Sequence, residues 1–503
     1  RRSWGKVMVG LGVATRRWVV VLALAAGASA AASADPNPLP IPSPPAALPA
    51  VPVAPPTAEP AAAPAQTPSP AATPPAAPVA PPPSSAPSSP KFDIYWNSGL
   101  FIQSREKDFT LHFGGVVHYD GAWYRTPEGQ KNFPDRDRAF QDGVNPRRLR
   151  LFAEGTLYKN VDYLASYEFA NGFSSTVPAT PATTFLTPGP LDMWATLKDV
   201  PFVGNVRIGN QKEPFSLEHL NSARFLEFME RSYLFDFSQY SRFNNGRNPG
   251  VSAFRTWADD RVYSAVGVFK NNSNLFGYGI GDGDYAVTGR VTALPVYCPE
   301  DERMWHVGGA MSHRDPVDGK VLVSVRNSVR NAPLPLLPLI VLTDPINATS
   351  QNLYNLETAA TYGRWTFQAE YTANLIQNAS VGTGPNVGTL AYQGYYVEGM
   401  CFLTGEHRTW NPQSATFNRV IPKTNFAFVP GTWCVKGWGA WELAARYQYL
   451  DCDDKGINGG VLNDVTLGVN WYWNPNTKMQ FNYDYVYREG GIPDTKGGIH
   501  SFG

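Results

Sequence analysis

The sequence predicts an all-β protein whose strands form a transmembrane antiparallel β-barrel. Three observations predict this class. Segments of about ten residues alternate between apolar and polar side chains, so each kind lies on one face of a strand. The connections between these segments alternate between short and long, as they do in bacterial barrels. After residue 34, no stretch approaches the roughly 18 apolar residues that a membrane helix requires.

Residues 1–34 are typical of an export signal. Arg16 and Arg17 precede an apolar run over 18–28 and the small residues of a cleavage site at 32–34. A buried helix of the mature protein is the alternative interpretation. The chain has no initiating Met, so we expect its start to be clipped or misassigned. Together with the barrel, the leader predicts a protein of the bacterial outer membrane.

Residues 35–90 form the second segment and contain 22 of the 45 prolines and no aromatic residue. Such a chain cannot bury enough apolar surface to fold, and its prolines favour extended geometry. We expect a disordered linker in the periplasm. Contact of this arm with the cell wall is a further hypothesis that the sequence leaves open.

Residues 91–503 form the third segment, the predicted barrel domain. The whole chain balances 42 Lys+Arg against 42 Asp+Glu, but this domain carries 37 against 40, or about −3. That balance excludes a strongly basic nucleic-acid binder. The alternation is clear over Met479–Tyr487, where the polar residues Gln480, Asn482 and Asp484 alternate with Met479, Phe481, Tyr483, Tyr485 and Tyr487. A soluble sandwich would have to cover such a face with a second sheet, whereas in a barrel it contacts lipid.

The pattern yields fifteen candidate strands. They are 109–124, 146–158, 161–171, 190–198, 204–212, 249–257, 261–270, 284–294, 304–314, 351–362, 365–374, 392–404, 438–450, 461–473 and 477–488. Single-chain bacterial barrels close with an even number, so sixteen are expected. The chain stops at Gly503 without a further alternating segment that ends in an aromatic residue. We therefore expect the closing strand to be missing from this chain.

One connection departs from the pattern, because residues 405–437 occupy a place where a short turn is expected. Cys401 and Cys434 flank or enter it, and an oxidising periplasm permits a disulfide between them. Free cysteines are the alternative. The sequence has no metal-ligand spacing and no nucleophile motif, so we expect neither a cofactor nor an enzymatic activity.

Five segments resemble the phosphate-selective porin O and P family of outer-membrane channels. The segment 208–232 is similar to the third external loop of that family, and 402–423 is similar to its inserted periplasmic turn. Further similarity lies in 147–170, 438–451 and 459–486. The resemblance implies a sixteen-stranded barrel with a constriction loop folded into the lumen. It also implies a homotrimer and passive uptake of small anions, with phosphate or polyphosphate as substrates.

The constriction loop supplies the first candidate site residues. Apolar residues recur at helical spacing within 215–231, which predicts one or two short helices. Lys212, Arg224 and Arg231 are then the candidate cations at the constriction, since rings of basic side chains select anions. In the alternative, these cations pair with loop glutamates and fix the loop, the glutamates being Glu213, Glu218, Glu227 and Glu230.

The strand register supplies the other candidates. It places six arginines inward: Arg148, Arg150, Arg207, Arg290, Arg446 and Arg488. It places eight acids inward: Asp120, Glu154, Glu168, Asp284, Glu370, Glu442, Asp464 and Asp484. This is not the basic ladder that the resemblance implies. Two alternatives therefore stay open, a weakly selective porin for other solutes and a barrel that anchors the outer membrane to the cell wall.

Residues 333–342 are apolar but interrupted by proline and too short to span a membrane. Two positions are open for them, a subunit contact and the inside of the barrel mouth.

Overall fold

The computed structural model describes residues 91–126, 140–174, 186–238, 246–271, 283–330, 338–491 and 496–503. The predicted export signal and proline-rich linker lie outside the described residues. All described residues belong to one compact unit, Ser84–Gly503.

Sixteen antiparallel strands close into a barrel, and a short hairpin precedes them. The hairpin strands are β1 (Phe92–Trp96) and β2 (Leu100–Ser104). The barrel strands are β3 (Phe109–Arg125), β4 (Gly143–Leu157), β5 (Val161–Ser174), β6 (Leu186–Val200), β7 (Gly204–Lys212), β8 (Arg247–Trp257), β9 (Val262–Lys270), β10 (Tyr285–Cys298), β11 (Arg303–Arg314), β16 (Ser350–Tyr362), β17 (Trp365–Gln377), β19 (Leu390–Phe402), β24 (Ala440–Asp454), β25 (Ile457–Asn474), β26 (Thr477–Glu489) and β27 (Gly497–Phe502). All fifteen predicted strands are present, so the predicted fold class is confirmed.

The sixteenth strand corrects one prediction. β27 pairs with β26 at Tyr483↔Phe502 and with β3 at Tyr124↔Ser501, and these pairings close the barrel. The expectation that this strand is missing was wrong. Its six residues begin with two glycines, so they lack the alternation by which the other strands are recognised.

The two faces of the barrel wall differ as the alternation predicts. In β16, Leu356 is 65% exposed on the outer face, whereas Asn355 and Glu357 are buried on the inner face. The outer face is therefore apolar and suited to lipid, and the inner face is polar. One end of the barrel carries the short turns, such as 363–364 between β16 and β17, and the other carries the long loops.

Helices and small strands lie in the connections. The helices are α1 (Leu217–Leu220) and α2 (Tyr233–Phe237), with 3₁₀ turns at Ala223–Phe225, Pro299–Asp301 and Val317–Gly319. The small strands are β12 (Lys320–Val321), β13 (Ser324–Arg326), β14 (Leu339–Leu342), β15 (Ile346–Asn347), β18 (Ser380–Val381), β20 (Trp410–Asn411), β21 (Thr416–Phe417), β22 (Ala427–Phe428) and β23 (Val435–Gly437). No helix in the described residues is both long and apolar enough to cross a membrane.

Three connections enter the barrel with at least part of their described residues. The constriction loop is 213–246, between β7 and β8. The mouth loop is 315–349, between β11 and β16. The inserted turn is 403–439, between β19 and β24. Of the apolar segment 333–342, residues 333–337 lie outside the described residues. Ile340 and Val341 are fully buried in a core that α2 and inward strand residues share, so this end of the segment lies inside the barrel.

Candidate functional site

The candidate site is the lumen, and the constriction loop is its central element. Helix α1 sits with its first turn on the inner wall, where the amides of Leu217 and Glu218 donate to Glu370 at 3.2 and 2.8 Å. The Tyr233 amide donates to Gln448 at 2.9 Å, and the Tyr233 hydroxyl donates to Asp464. A carboxylate that accepts amides at a helix start is a strong anchor. The loop is thereby fixed to strands β17, β24 and β25.

Two of the three candidate constriction cations hold the loop together. The Lys212 ammonium donates to the carbonyls of His219, Leu220 and Asn221 at 2.6, 3.2 and 3.1 Å. The Arg231 guanidinium donates to the carbonyls of Glu218 and Asn221 at 2.8 and 2.7 Å. These bonds satisfy carbonyls at the end of α1. The sequence alone could not predict them, because they depend on how the constriction loop folds back on itself.

The loop glutamates bind arginines of the wall and of the other insertions. Glu230 accepts from Arg147 at 2.5 Å and from Arg148 at 3.1 Å. Glu218 lies 3.5 Å from Arg446, and Glu213 pairs with Arg314. These glutamates do fix the loop, but the described ion pairs are not the expected ones with Lys212, Arg224 and Arg231. Their partners are arginines of the wall and of the two other insertions, and Lys212 and Arg231 donate to carbonyls instead.

A bulge explains why both Arg147 and Arg148 reach Glu230. The register between β3 and β4 shifts between His118 and Tyr119. An extra residue in one strand re-aims a side chain, so two consecutive arginines lie on the inner side, at 7% and 3% exposure. Sequence reasoning, which assumed strict alternation, placed only Arg148 inward.

The mouth loop holds the second half of the constriction loop. Asp236 of α2 forms ion pairs with Arg326 and with Arg330, the latter at 3.1 Å. Both arginines are buried, and Arg330 also lies 3.8 Å from Glu230. Sequence reasoning missed these residues, whose only signal was two arginines four residues apart beside the apolar run.

The inserted turn reaches the constriction loop from the short-turn end. Arg408 forms a buried ion pair with Glu227 and donates to the Phe225 carbonyl at 3.0 Å. Trp410 and Phe417 pack on Leu217 of α1 and on inward residues of the wall. The constriction loop is therefore held from both ends of the barrel.

The buried loop groups have altered acid–base behaviour. Burial lowers the pKa of Arg231 to about 9, with Arg148 adding to the effect, so this group stays charged at neutral pH. Burial alone would raise the pKa of Glu230, but Arg147, Arg148 and Arg330 outweigh it and hold this pKa well below its usual value. Arg326 and Arg330 lower the pKa of Asp236 in the same way, against its burial.

The predicted wall arginines are inward, and most of them are paired. Arg150 binds Glu168 at 2.6 Å, and Arg290 binds Glu357 at 2.6 Å. Arg488 donates to the Ile340 carbonyl at 2.7 Å. These side chains hold the insertions and the wall together, and carboxylates inside the protein compensate the charges of Arg150 and Arg290.

Two candidate cations, Arg207 and Arg224, are half-buried, have no described carboxylate within ion-pair distance, and stack on aromatic rings. Lys212 is also half-buried without such a carboxylate, but its ammonium donates to three loop carbonyls. Arg224 lies over Phe152 and Phe225, with its guanidinium carbon 5.4 and 5.3 Å from the ring centres. Arg207 lies 3.7 Å from the ring centre of Trp194. Ring stacking holds a guanidinium in place and leaves its N–H groups available.

Arg224 also borders a cavity of about 810 Å³ between β3 and β26. The cavity lies where the edge of β3 pairs with neither β2 nor β27. The charged residues that line it are Arg224, Arg419, Lys478 and Asp120. In the described part of the chain, no group of three or more His, Cys, Asp or Glu side chains could hold a metal ion.

The expected disulfide is not formed. Cys401 lies buried within β19, and its strand neighbours are Trp365 and Leu443. Cys434 lies exposed in the turn that joins β22 to β23. Both thiols are free, because the inserted turn carries Cys434 away from the strand that contains Cys401.

A closed sixteen-strand barrel with a loop bound across its lumen defines the class of outer-membrane porins. The chain belongs to the phosphate-selective porin O and P family, whose model matches residues 114–490. This match confirms the family that the sequence predicted. Members of the family are channel proteins of the outer membrane.

Individual relatives are distant. An uncharacterized protein of Caulobacter vibrioides is 27% identical over 415 residues, covering 80% of this chain and 73% of its own. Porin O of Pseudomonas aeruginosa is 21% identical over 414 residues, covering 76% and 84%. Among solved structures, an anion-selective porin from Comamonas acidovorans is 12% identical with a TM-score of 0.44, covering 78% of this chain and 97% of its own.

Proposed function

We propose that this porin lets small anions diffuse passively across the outer membrane, with phosphate or polyphosphate as substrates. One observation carries the proposal. Arg207 and Arg224 keep N–H groups without a described carboxylate partner and stay half-buried, whereas most of the predicted wall arginines are paired. The description of the family model, which names phosphate, supports the same substrate.

The chemistry of the two arginines suits a phosphate. A guanidinium offers parallel N–H donors that match two phosphate oxygens, and this geometry is fixed when the group is stacked on a ring. The Arg207 Nε donates to Thr196 at 2.9 Å, which further orients the group. Positive groups exposed in a narrow pore raise the local anion concentration.

A weakly selective porin is the second candidate. Glu154 and Asp162 lie on the same side of the lumen as Arg207, and their side chains are 41% and 35% exposed. Asp162 is 2.9 Å from Lys198, and Glu154 is 2.8 Å from His112. If these acids dominate the open path, the pore will show little preference for anions.

Purified protein in a planar bilayer tests the proposal. In a salt gradient the reversal potential is expected to have the sign of an anion channel, and phosphate is expected to block the chloride current. Arg207→Gln and Arg224→Gln are each expected to weaken that block about tenfold, the value of one charged hydrogen bond. Arg255→Gln is the matched control, because Arg255 stacks on the outward Trp257.

A cation-signed potential, or a block that survives in both variants, contradicts the phosphate proposal. An anion-signed potential without phosphate block favours the weakly selective porin.

We further infer a homotrimer, cleavage of an export leader within 1–34, and a periplasmic linker at 35–90 that contacts the cell wall. Cross-linking in membranes tests the first, and the mature N-terminus tests the second. Deletion of 35–90, with wall attachment as readout, tests the third.

A further inference from the structure

The hairpin β22–β23 of the inserted turn lies away from the lumen and exposes apolar side chains. Phe428 is 49% exposed, Val429 is 38% exposed, and Trp433 is 93% exposed. The turn between the two strands is closed by hydrogen bonds, in which the Val429 amide donates to the Cys434 carbonyl at 2.8 Å and the Thr432 amide donates to the Val429 carbonyl at 3.1 Å. Three neighbouring apolar side chains exposed on one hairpin are typical of an interaction site.

A chain of ring contacts joins this hairpin to the outer face of the barrel. Trp433 contacts Phe428 with ring centres 6.4 Å apart, and Phe428 contacts Phe426 at 5.2 Å. Phe426 packs on Trp471 at 4.8 Å, and Trp471 stacks on Trp441 at 4.9 Å.

Trp471 and Trp441 lie on the outer, lipid-facing side of β25 and β24. On the same face of β25, Val465 and Leu467 are 43% and 49% exposed. Phe426 also donates its amide to the Trp473 carbonyl at 2.7 Å. The hairpin is thus continuous with the apolar band of the barrel at its short-turn end.

We propose that the hairpin β22–β23 is a lipid anchor, whose tip enters the headgroup region of the leaflet at the short-turn end. Tryptophan prefers the membrane interface, where its ring is apolar and its N–H is wet. Residues 426–438 contain one charged residue, Lys436, and no acid. Exposed Lys436 beside the apolar tip suits phospholipid phosphates.

A second copy of the chain is the competing occupant, and the observations favour it less. A stable protein interface buries about 1,200–2,000 Å², whereas the tip offers only three large apolar side chains. Continuity with the lipid-facing tryptophans places the tip beside lipid in any case.

The exposed Cys434 gives a direct test. An environment-sensitive fluorophore is attached to Cys434 in a Cys298→Ser background, and the protein is placed in vesicles that contain spin-labelled phospholipids. We expect a blue-shifted emission and stronger quenching by a label near the headgroup than by one deep in the chain. The control carries the fluorophore at Asp259→Cys in a Cys298→Ser, Cys434→Ser background, because Asp259 is exposed in another short turn.

Replacing Phe428 and Trp433 with serine is expected to return the Cys434 label to a water-like emission, while the conductance of the pore stays unchanged. Quenching by aqueous iodide alone overturns the proposal. So does a blue-shifted label that lipids do not quench and that cross-links between chains through Cys434, since this shows that a second copy covers the hairpin.

Discussion

Charged side chains are buried on one side of the lumen and partly exposed on the other. We call the inward residues of β16, β17, β19, β24, β25 and β26 the packed wall, because the constriction loop and mouth loop bind there. We call the short-turn halves of β4–β8 the open wall. On the packed wall the side chains of Glu357 and Arg446 have no exposure, whereas Glu154 and Lys198 of the open wall are 41% and 29% exposed.

The difference shows that a count of inward charges does not predict selectivity. Six arginines against eight acids argued against an anion pore, but most of these groups are buried and bonded to protein. A charge that is compensated by a buried partner exerts little field on a passing solute. We infer that selectivity depends on half-buried groups without a described carboxylate partner, chiefly Arg207 and Arg224.

The largest expected effect is that the constriction loop and the mouth loop detach from the packed wall at low pH. Glu230 and Asp236 have lowered pKa values in the folded protein. Their stabilisation is therefore complete above the ordinary carboxyl pKa of about 4 and is lost only as pH falls through the lower folded values. We expect constant conductance from pH 8 to about pH 5, and a larger, noisier conductance well below about pH 4.

Single-channel recording over this pH range checks the expectation. A change in open-channel noise between pH 5 and 7 would show that other groups hold the loop. High salt serves as the control, because screening weakens exposed pairs much more than buried ones.

The next effect is expected from Asp236→Ala, which leaves Arg326 and Arg330 buried without their shared carboxylate. Removing one partner of a buried ion pair costs about 3–5 kcal/mol. The constriction and mouth loops are expected to open together, which proteolysis within the loops and open-channel noise both report. Asp318→Asn is the control, since Asp318 lies exposed in the same mouth loop. Equal behaviour of the two variants would contradict the pinning role of Asp236.

The strands were predictable from sequence because burial on a strand follows a local period of two. That period correctly placed Arg148, Arg290 and Arg446 inward. It missed β27, where two glycines precede only four further residues. Strand pairing across the barrel seam, which joins Ser501 to Tyr124, is set by closure and leaves no local pattern.

The state of each lumen charge was not predictable, because it depends on contacts between distant segments. Arg408 reaches Glu227 across 181 positions of sequence, and Arg326 reaches Asp236 across 90. Lys212 was read as a pore cation because its carbonyl partners belong to a loop whose path the sequence does not specify. Family resemblance located the insertions but gave none of these bonds.

A smaller effect is expected from Glu370→Gln, which removes one of the two side-chain oxygens that accept from the start of α1. The Leu217 and Glu218 amides donate to different oxygens of Glu370. Glutamine keeps only one of these oxygens, so one amide loses its acceptor, at a cost of about 1 kcal/mol. Hydrogen exchange at these amides is expected to rise roughly fivefold at neutral pH. Glu489→Gln, at the exposed end of β26, is the control. Unchanged protection in Glu370→Gln would mean that Tyr233 and the buried ion pairs suffice to hold the loop.

The smallest effect is expected on the open wall, from Trp194→Leu. The change removes the ring on which the Arg207 guanidinium lies at 3.7 Å but keeps the charge itself. A cation–π contact at such a site contributes about 0.5–1 kcal/mol, so phosphate block is expected to weaken roughly two- to fivefold. Trp305→Leu on the outer face of β11 is the matched control, because Trp305 is 46% exposed and faces away from the lumen. If both variants weaken the block equally, the loss comes from the barrel as a whole, and the stacked guanidinium is not what binds the anion.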